Sequence, residues 1–216
     1  SVEVDALSTR TTNDTFLDAA LQSGWELSEL IRVPLGTRDW SDVVARIAVL
    51  DPAAVMVTHF VADEIVELQR ALHVLGSPAL VYYVYGASVP YFQDSLREAA
   101  EGVVWSTVTG LYDDALGRDF RQRYRRRFAV EPGWSIASAA YDQVRLLANA
   151  WAATGGRDSQ EVADYLRHTA HRGLNGVYFL GSPGQACLAY PDMTPDPSIS
   201  QAHMVYQYQD GVARVI

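Results

Sequence analysis

Residues 53–60 read Ala53-Ala54-Val55-Met56-Val57-Thr58-His59-Phe60, an apolar run entered through Asp51-Pro52 and broken only by Thr58 and His59 near its end. A run without in-out alternation is the pattern of a strand buried on both faces, as in a parallel sheet covered by helices. The residues that follow change period. Ile65, Leu68, Leu72 and Leu75 fall on one helical face, and Gly76 supplies a helix stop. The same alternation extends in both directions. Leu80–Tyr85 (LVYYVY) is a second buried run ending at Gly86, Pro90–Glu101 reads as a helix, and Val103–Thr109 as a further strand. Upstream, Ser1–Ala6 reads as a strand end, Thr15–Ser23 as a helix closed by Gly24, and Trp25–Leu35 as a strand. Asp39 or Ser41 can cap a helix carrying Val43, Val44, Ile47 and Leu50. Strands alternating with helices predict an α/β fold, a parallel sheet between layers of helices.

Beyond Thr109 the alternation stops. Leu116, Phe120, Tyr124 and Phe128 recur every four residues, and Ile136, Ala140, Val144, Leu147 and Trp151 nearly so, which predicts two consecutive helices separated by Glu131-Pro132-Gly133. A shorter helix is expected over Ser159–Thr169, and a hairpin from His203–Tyr208 and Gly211–Ile216 across an Asp-Gly turn.

Composition narrows the chemistry. All 17 basic residues are arginine, so mechanisms that need a lysine (a Schiff base, a P-loop, a Ser-Lys dyad) are excluded. A formal charge of −9 argues against general nucleic-acid binding. The one basic cluster, Arg121 to Arg127, is interleaved with Tyr124 and Phe128. These continue the apolar stripe and are expected to face a core, with the arginines solvated and paired to Asp113, Asp114 and Asp119. The single cysteine, Cys187, forms no internal disulfide and has no zinc-ligand spacing around it. No stretch is long and apolar enough to span a bilayer. The opening SVEVDALSTR has no signal-peptide pattern, so an export signal would lie outside these residues.

Catalytic signatures are missing from the sequence. No GxSxG elbow occurs, Tyr85-Gly86-Ala87-Ser88 lacking the second glycine, and Gly181-Ser182-Pro183-Gly184 reads as a turn rather than a nucleotide loop. His168 and His171 have no HExxH-type partners, so no metal site is expected, and no cofactor. His59 closes a buried strand. It is either a ligand contact in the crevice beyond the sheet or a satisfied polar residue at a strand end.

Several strings together resemble one family. They are Gly24-Trp25-Glu26, Arg38-Asp39-Trp40-Ser41-Asp42-Val43-Val44 and Asp51-Pro52-Ala53-Ala54-Val55, then Ala99-Ala100-Glu101-Gly102-Val103-Val104. Phe120, Tyr124 and Pro132 follow, with Ala139-Ala140-Tyr141-Asp142-Gln143-Val144, Asn175-Gly176-Val177-Tyr178-Phe179 and Tyr206-Gln207-Tyr208-Gln209-Asp210-Gly211. In order and spacing these are similar to the second lobe and closing segments of type I periplasmic binding proteins of the branched-chain amino acid and amide group. The first lobe and the hinge string expected near Asp5 to Asp14 have no counterpart here.

That resemblance implies a Rossmann-like lobe and a receptor that performs no chemistry. Two lobes close on a small polar solute (an amino acid, amide or short carboxylate) in the periplasm or outside the cell, lipid-anchored in some full-length forms, and a membrane ABC permease reads the closed form. It implies residues 1–112 as the lobe lining the cleft, 113–190 as returning helices and connector, and 191–216 as C-terminal strands. Ligands of such folds lie at the carboxyl ends of the strands. The candidate contacts are therefore Thr58, His59, Phe60, Tyr85, Gly86, Ala87, Ser88 and, after Thr109-Gly110-Leu111, Tyr112. The string Gly86-Ala87-Ser88-Val89-Pro90 has no carboxylate for an ammonium group, which favours a neutral or anionic solute. The face a first lobe would cover offers a surface for self-association. Three other readings stay open: a cytoplasmic amide-sensing regulator of the same fold, a small flavodoxin-like enzyme with acid-base groups around His59 and Asp63, and a plain interaction domain marked by a large apolar patch where a first lobe would pack.

Overall fold

The computed structural model describes residues 1–107, 110–156 and 158–216. In chain order its elements are β1 (Val2–Val4), α1 (Leu7–Gln22), β2 (Ile31–Val33), α2 (Ser41–Leu50), β3 (Ala54–Thr58), α3 (Ala62–Leu75), β4 (Leu80–Tyr83), α4 (Pro90–Leu96) and β5 (Val104–Thr107). There follow α5 (Ala115–Phe128), α6 (Ile136–Thr154), α7 (Ser159–His168), β6 (His171–Gly173), β7 (Gly176–Tyr178), β8 (Leu188–Tyr190), β9 (Ser200–Ala202), β10 (Met204–Gln209) and β11 (Val212–Val215). Two compact units result, Ser1–Ser106 with Val205–Ile216, and Thr107–Met204. The expected segments 1–112, 113–190 and 191–216 differ from this division, because the final hairpin returns to the first unit.

The first unit is built on a seven-stranded sheet of order β11-β10-β5-β4-β3-β1-β2. Strands β2, β1, β3, β4 and β5 are parallel to their neighbours, with Val2 opposite Ile31 and Val57, and Val57 opposite Tyr83. The α/β expectation holds, with a mostly parallel sheet flanked by helices. Chain reversal of strand order at β1 places α1 on one face and α2, α3 and α4 on the other, as right-handed crossovers require. All βα loops therefore emerge at one edge, the carboxyl edge.

The hairpin closes this unit with aromatic rings. Tyr206 stacks on Trp105 at 4.2 Å between centroids, and Tyr208, Phe92 and Tyr83 continue the cluster at 6.0 Å and 5.2 Å. Asp210 and Gly211 both have positive φ (53° and 71°), as a two-residue turn of this hand demands, and pair Gln209 with Val212.

Local expectations fail where packing overrides pattern. Helix α1 begins at Leu7 rather than Thr15, and the residues it buries in that first half are polar, Thr9 and Asn13. The strand expected over Trp25–Leu35 shrinks to Ile31–Val33, its first half running as exposed coil. The helix expected over Pro90–Glu101 breaks after Leu96, where Arg97 takes φ of 51°, and continues as a 3-10 turn. The strand expected over Val103–Thr109 is seen as Val104–Thr107; Val108 and Thr109 lie outside the described residues.

The second unit holds α5, α6 and α7, the antiparallel β6-β7 hairpin and the β8-β9 pair. Leu111, Phe120 and Leu174 form a buried cluster, with Tyr124, Trp134, Ala137 and Tyr141 packed against it. Tyr124 reaches this core, as expected. Phe128 does not: it ends α5 and is 55% exposed, in ring contact with Tyr124. Asp142, 2% exposed on α6, accepts hydrogen bonds from the amides of Leu174 and Asn175 (2.9 and 3.0 Å) and from the Tyr178 hydroxyl (3.1 Å). Two of the family-like strings thus meet through one carboxylate. Gly173 is required beside it, since a Cβ there would lie 2.4 Å from Asp142 Oδ2.

Candidate functional site

Seven of the eight candidate residues follow or end β3 and β4, and so lie at the carboxyl edge of the first unit's sheet. Thr58 is buried, its hydroxyl donating to Asn13 Oδ1 on α1 (3.1 Å). His59 is buried too. Its Nδ1 accepts from the Val61 amide (3.2 Å), which leaves the proton of the neutral ring on Nε2, 3.2 Å from Glu64 Oε2 but without the alignment of a full hydrogen bond. Burial holds the imidazole below its ordinary pKa, and the Glu64 carboxylate opposes that shift. Glu64 Oε2 also accepts from the Gly36 amide (3.0 Å).

Phe60 turns the other way and is 46% exposed, its ring 6.1 Å from that of His59. Tyr85 is half-buried, with its phenol pKa raised by burial. It precedes a 3-10 turn, Gly86–Ser88, whose three residues are buried. Gly86 is needed there because an added Cβ would stand 2.5 Å from Ile65 Cδ1 and 2.8 Å from the His59 carbonyl oxygen. The Ala87 carbonyl accepts from the Tyr208 hydroxyl (2.8 Å), and the Ser88 amide donates to the Tyr85 carbonyl (3.0 Å). Phe60 and Tyr85 thus offer side chains to solvent, while the other five support them from beneath. Tyr112 belongs to the second unit. Its hydroxyl accepts from the Ala202 amide (2.7 Å), and the Arg172 guanidinium lies over its ring at 5.1 Å.

The same edge carries residues the sequence reading passed over. Asp5 follows β1 and pairs with Arg10, Leu7 is 82% exposed at the start of α1, and Leu35 and Gly36 follow β2. The rule that selected the ends of β3 and β4 applies equally to β1 and β2. They escaped because three-residue strands leave little periodicity. The N-cap positions of α1 and α3 are Ala6 and Val61, neither of which offers a side-chain cap; the first turn of α1 has no acidic residue, and that of α3 carries Asp63 and Glu64. In the second unit, by contrast, Asp114 caps α5 and Asp158 caps α7. First-turn amides without a side-chain cap can serve a polar group, and at α1, where no carboxylate opposes it, an anionic one. Among the described residues no group of three His, Cys, Asp or Glu side chains is placed to hold a metal ion.

Residues 1–188 match the family model described as periplasmic binding protein. The chain belongs to that family. Solved structures of periplasmic binding proteins extend the likeness over its whole length. A protein from Silicibacter pomeroyi named as a branched-chain amino acid ABC transporter is 25% identical and superposes with a TM-score of 0.87, covering 100% of this chain and 57% of its own. A leucine binding protein from Thermotoga maritima (20% identity, TM-score 0.76) is covered over 59% of its length. A solute binding protein from R. palustris, solved in complex with benzoate (13% identity, TM-score 0.81), is covered over 56%, and in both cases all of this chain is matched. The chain therefore spans less than two thirds of the proteins it matches. No curated protein sequence matches it.

Proposed function

We propose that this periplasmic binding protein chain is part of the solute-binding component of an ABC transporter, acting in the periplasm or outside the cell without catalysing a reaction. Its carboxyl edge takes a small polar solute, and the ligand-bound form is recognised by a membrane permease. The observation that carries this reading is the arrangement at the ends of β1, β3 and β4. Exposed Phe60 and half-buried Tyr85 share this edge with helix starts that have no side-chain caps, and the residues around them, His59, Gly86, Ala87 and Ser88, are buried, with hydrogen bonds at His59, Ala87 and Ser88. Aromatic walls with a few backbone donors bind small solutes in pre-formed sites, and binding acts by shifting a conformational equilibrium.

Gly86 to Pro90 carry no carboxylate, so the solute class is a neutral amide-like compound or a short or aromatic carboxylate in preference to a free amine. The names of the T. maritima and R. palustris relatives span that choice, from an amino acid to benzoate. A thermal-denaturation screen of amino acids, amides, ureas and carboxylates tests it. A ligand at 100 times its Kd adds about 2.7 kcal/mol, or roughly 5–10 °C in midpoint for a chain of this size. Phe60→Ala should remove most of that shift and leave the ligand-free midpoint within about 1 °C. A panel in which no compound moves the midpoint, or a shift unchanged in Phe60→Ala, refutes the reading.

A further inference from the structure

Glu64 and His59 are buried ionisable side chains at the carboxyl edge, and each holds a neighbouring loop. Glu64 Oε2 takes the Gly36 amide from the loop after β2 and faces His59 Nε2 after β3. His59 Nδ1 takes the Val61 amide at the start of α3, and the His59 carbonyl oxygen lies so close to Gly86, after β4, that no Cβ fits between them. Trp40, buried at the start of α2, sets its ring edge-on to the imidazole at 6.0 Å. The imidazole and the carboxylate thus engage the loops after β3 and β2 through their side chains, and the loop after β4 lies against the main chain of His59.

We propose that His59 and Glu64 are positioning residues, a buried couple that locks the loops after β2 and β3 into one register, and through the main chain of His59, on which the loop after β4 rests, sets the geometry of the edge that bears Phe60 and Tyr85. This deepens the solute-binding reading and rests on it for its purpose. The lock itself is a property of the unliganded protein. A buried carboxylate that accepts the Gly36 amide and stands 3.2 Å from the imidazole Nε2 couples their loops more strongly than packing alone, because removing it takes away the acceptor of the amide and the negative charge beside the ring. Glutamine at position 64 keeps a carbonyl acceptor of the same reach, whereas alanine removes it.

The test is amide hydrogen exchange by NMR on the unliganded chain, read at Gly36, Val61 and Ser88, with Tyr208, whose amide bonds the Val103 carbonyl in the sheet, as the core reference. Glu64→Ala should accelerate exchange at least tenfold at Gly36, Val61 and Ser88 while Tyr208 stays within twofold. Glu64→Gln should return Gly36 to within threefold of the parent. His59→Asn, which retains an acceptor near Val61 but cannot reach Glu64, should accelerate Gly36 and Ser88 and spare Val61. It keeps the proposal testable if Glu64→Ala does not fold. Long-range ¹⁵N spectra should show His59 protonated at Nε2 and bare at Nδ1. Acceleration confined to Gly36, acceleration of Tyr208 in step with the loops, no rescue by glutamine, or a proton on Nδ1 would each overturn it. None of these measurements needs a ligand. A failed solute screen therefore leaves the lock standing, and a failed lock leaves the solute reading standing.

Discussion

Replacing Gly86 by alanine tests the close approach on which the candidate edge is built. The added methyl would sit 2.5 Å from Ile65 Cδ1 and 2.8 Å from the His59 carbonyl oxygen. An ordinary contact needs about 3.4 Å or more, so the β3 and β4 loops must separate by roughly 0.6 Å and Ile65 Cδ1 on α3 must withdraw by roughly 0.9 Å. Neither neighbour can yield cheaply: Ile65 is fully buried, and the other atom is backbone. Overpacking of this kind costs about 1–3 kcal/mol, and a clash against main chain lies at the upper end. The two contacts can be separated with Ile65→Val, which deletes Cδ1 for about 1 kcal/mol on its own. In the double variant the 2.5 Å contact no longer exists, so its loss of stability should fall short of the sum of the single losses by about 1 kcal/mol. Urea denaturation of the four proteins, followed by near-ultraviolet circular dichroism, supplies the numbers. Strict additivity, or a Gly86→Ala loss below about 0.5 kcal/mol, would refute the reasoning.

Other expected outcomes follow from the same contacts. Asp142→Ala leaves two buried amides and the Tyr178 hydroxyl without their acceptor, at about 1–3 kcal/mol each before relaxation, and should lower stability by about 3–6 kcal/mol; a loss under 1 kcal/mol in chemical denaturation would count against this clamp. Tyr208→Phe removes one buried bond to the Ala87 carbonyl and keeps the ring cluster, so about 1–2 kcal/mol is expected by the same assay, with no change in the aromatic circular dichroism band shape. The folded state holds His59 below its ordinary value of 6.5, so on acidification the unfolded chain takes up a proton that the folded chain refuses. Stability due to this group is therefore constant above about pH 6.5 and declines below it until the folded-state pKa is passed. His59→Leu should flatten that part of the stability profile, and an unchanged slope would show that His59 does not contribute to it.

Much of the fold was legible because burial on both faces leaves its mark on composition. The runs 53–60 and 80–85, with Gly76, Gly86 and Gly102 as punctuation, locate β3, β4 and the loops that carry Phe60, Tyr85 and Ser88. The weak signals were those of elements whose environment is not apolar. The first half of α1 buries Thr9 and Asn13, so its periodicity cannot be read from hydrophobicity, and β2 is too short for any period. Phe128 continued a convincing stripe yet ends its helix exposed, since a period says which residues share a face and not where that face stops being covered.

Sequence alone thus determined the α/β class, the positions of the strand ends, the exclusion of lysine chemistry and the family resemblance. All of these depend on local periodicity or on residue identity, which the chain carries without folding. Only the tertiary structure decided which residues of that edge are exposed and what the buried ones touch. His59 and Glu64 are five positions apart in sequence, and nothing local says that they meet Gly36 or lie against Gly86. Those contacts join loops brought together by the order β4-β3-β1-β2, and whether a side chain faces solvent or a buried partner is settled by what that order places over it.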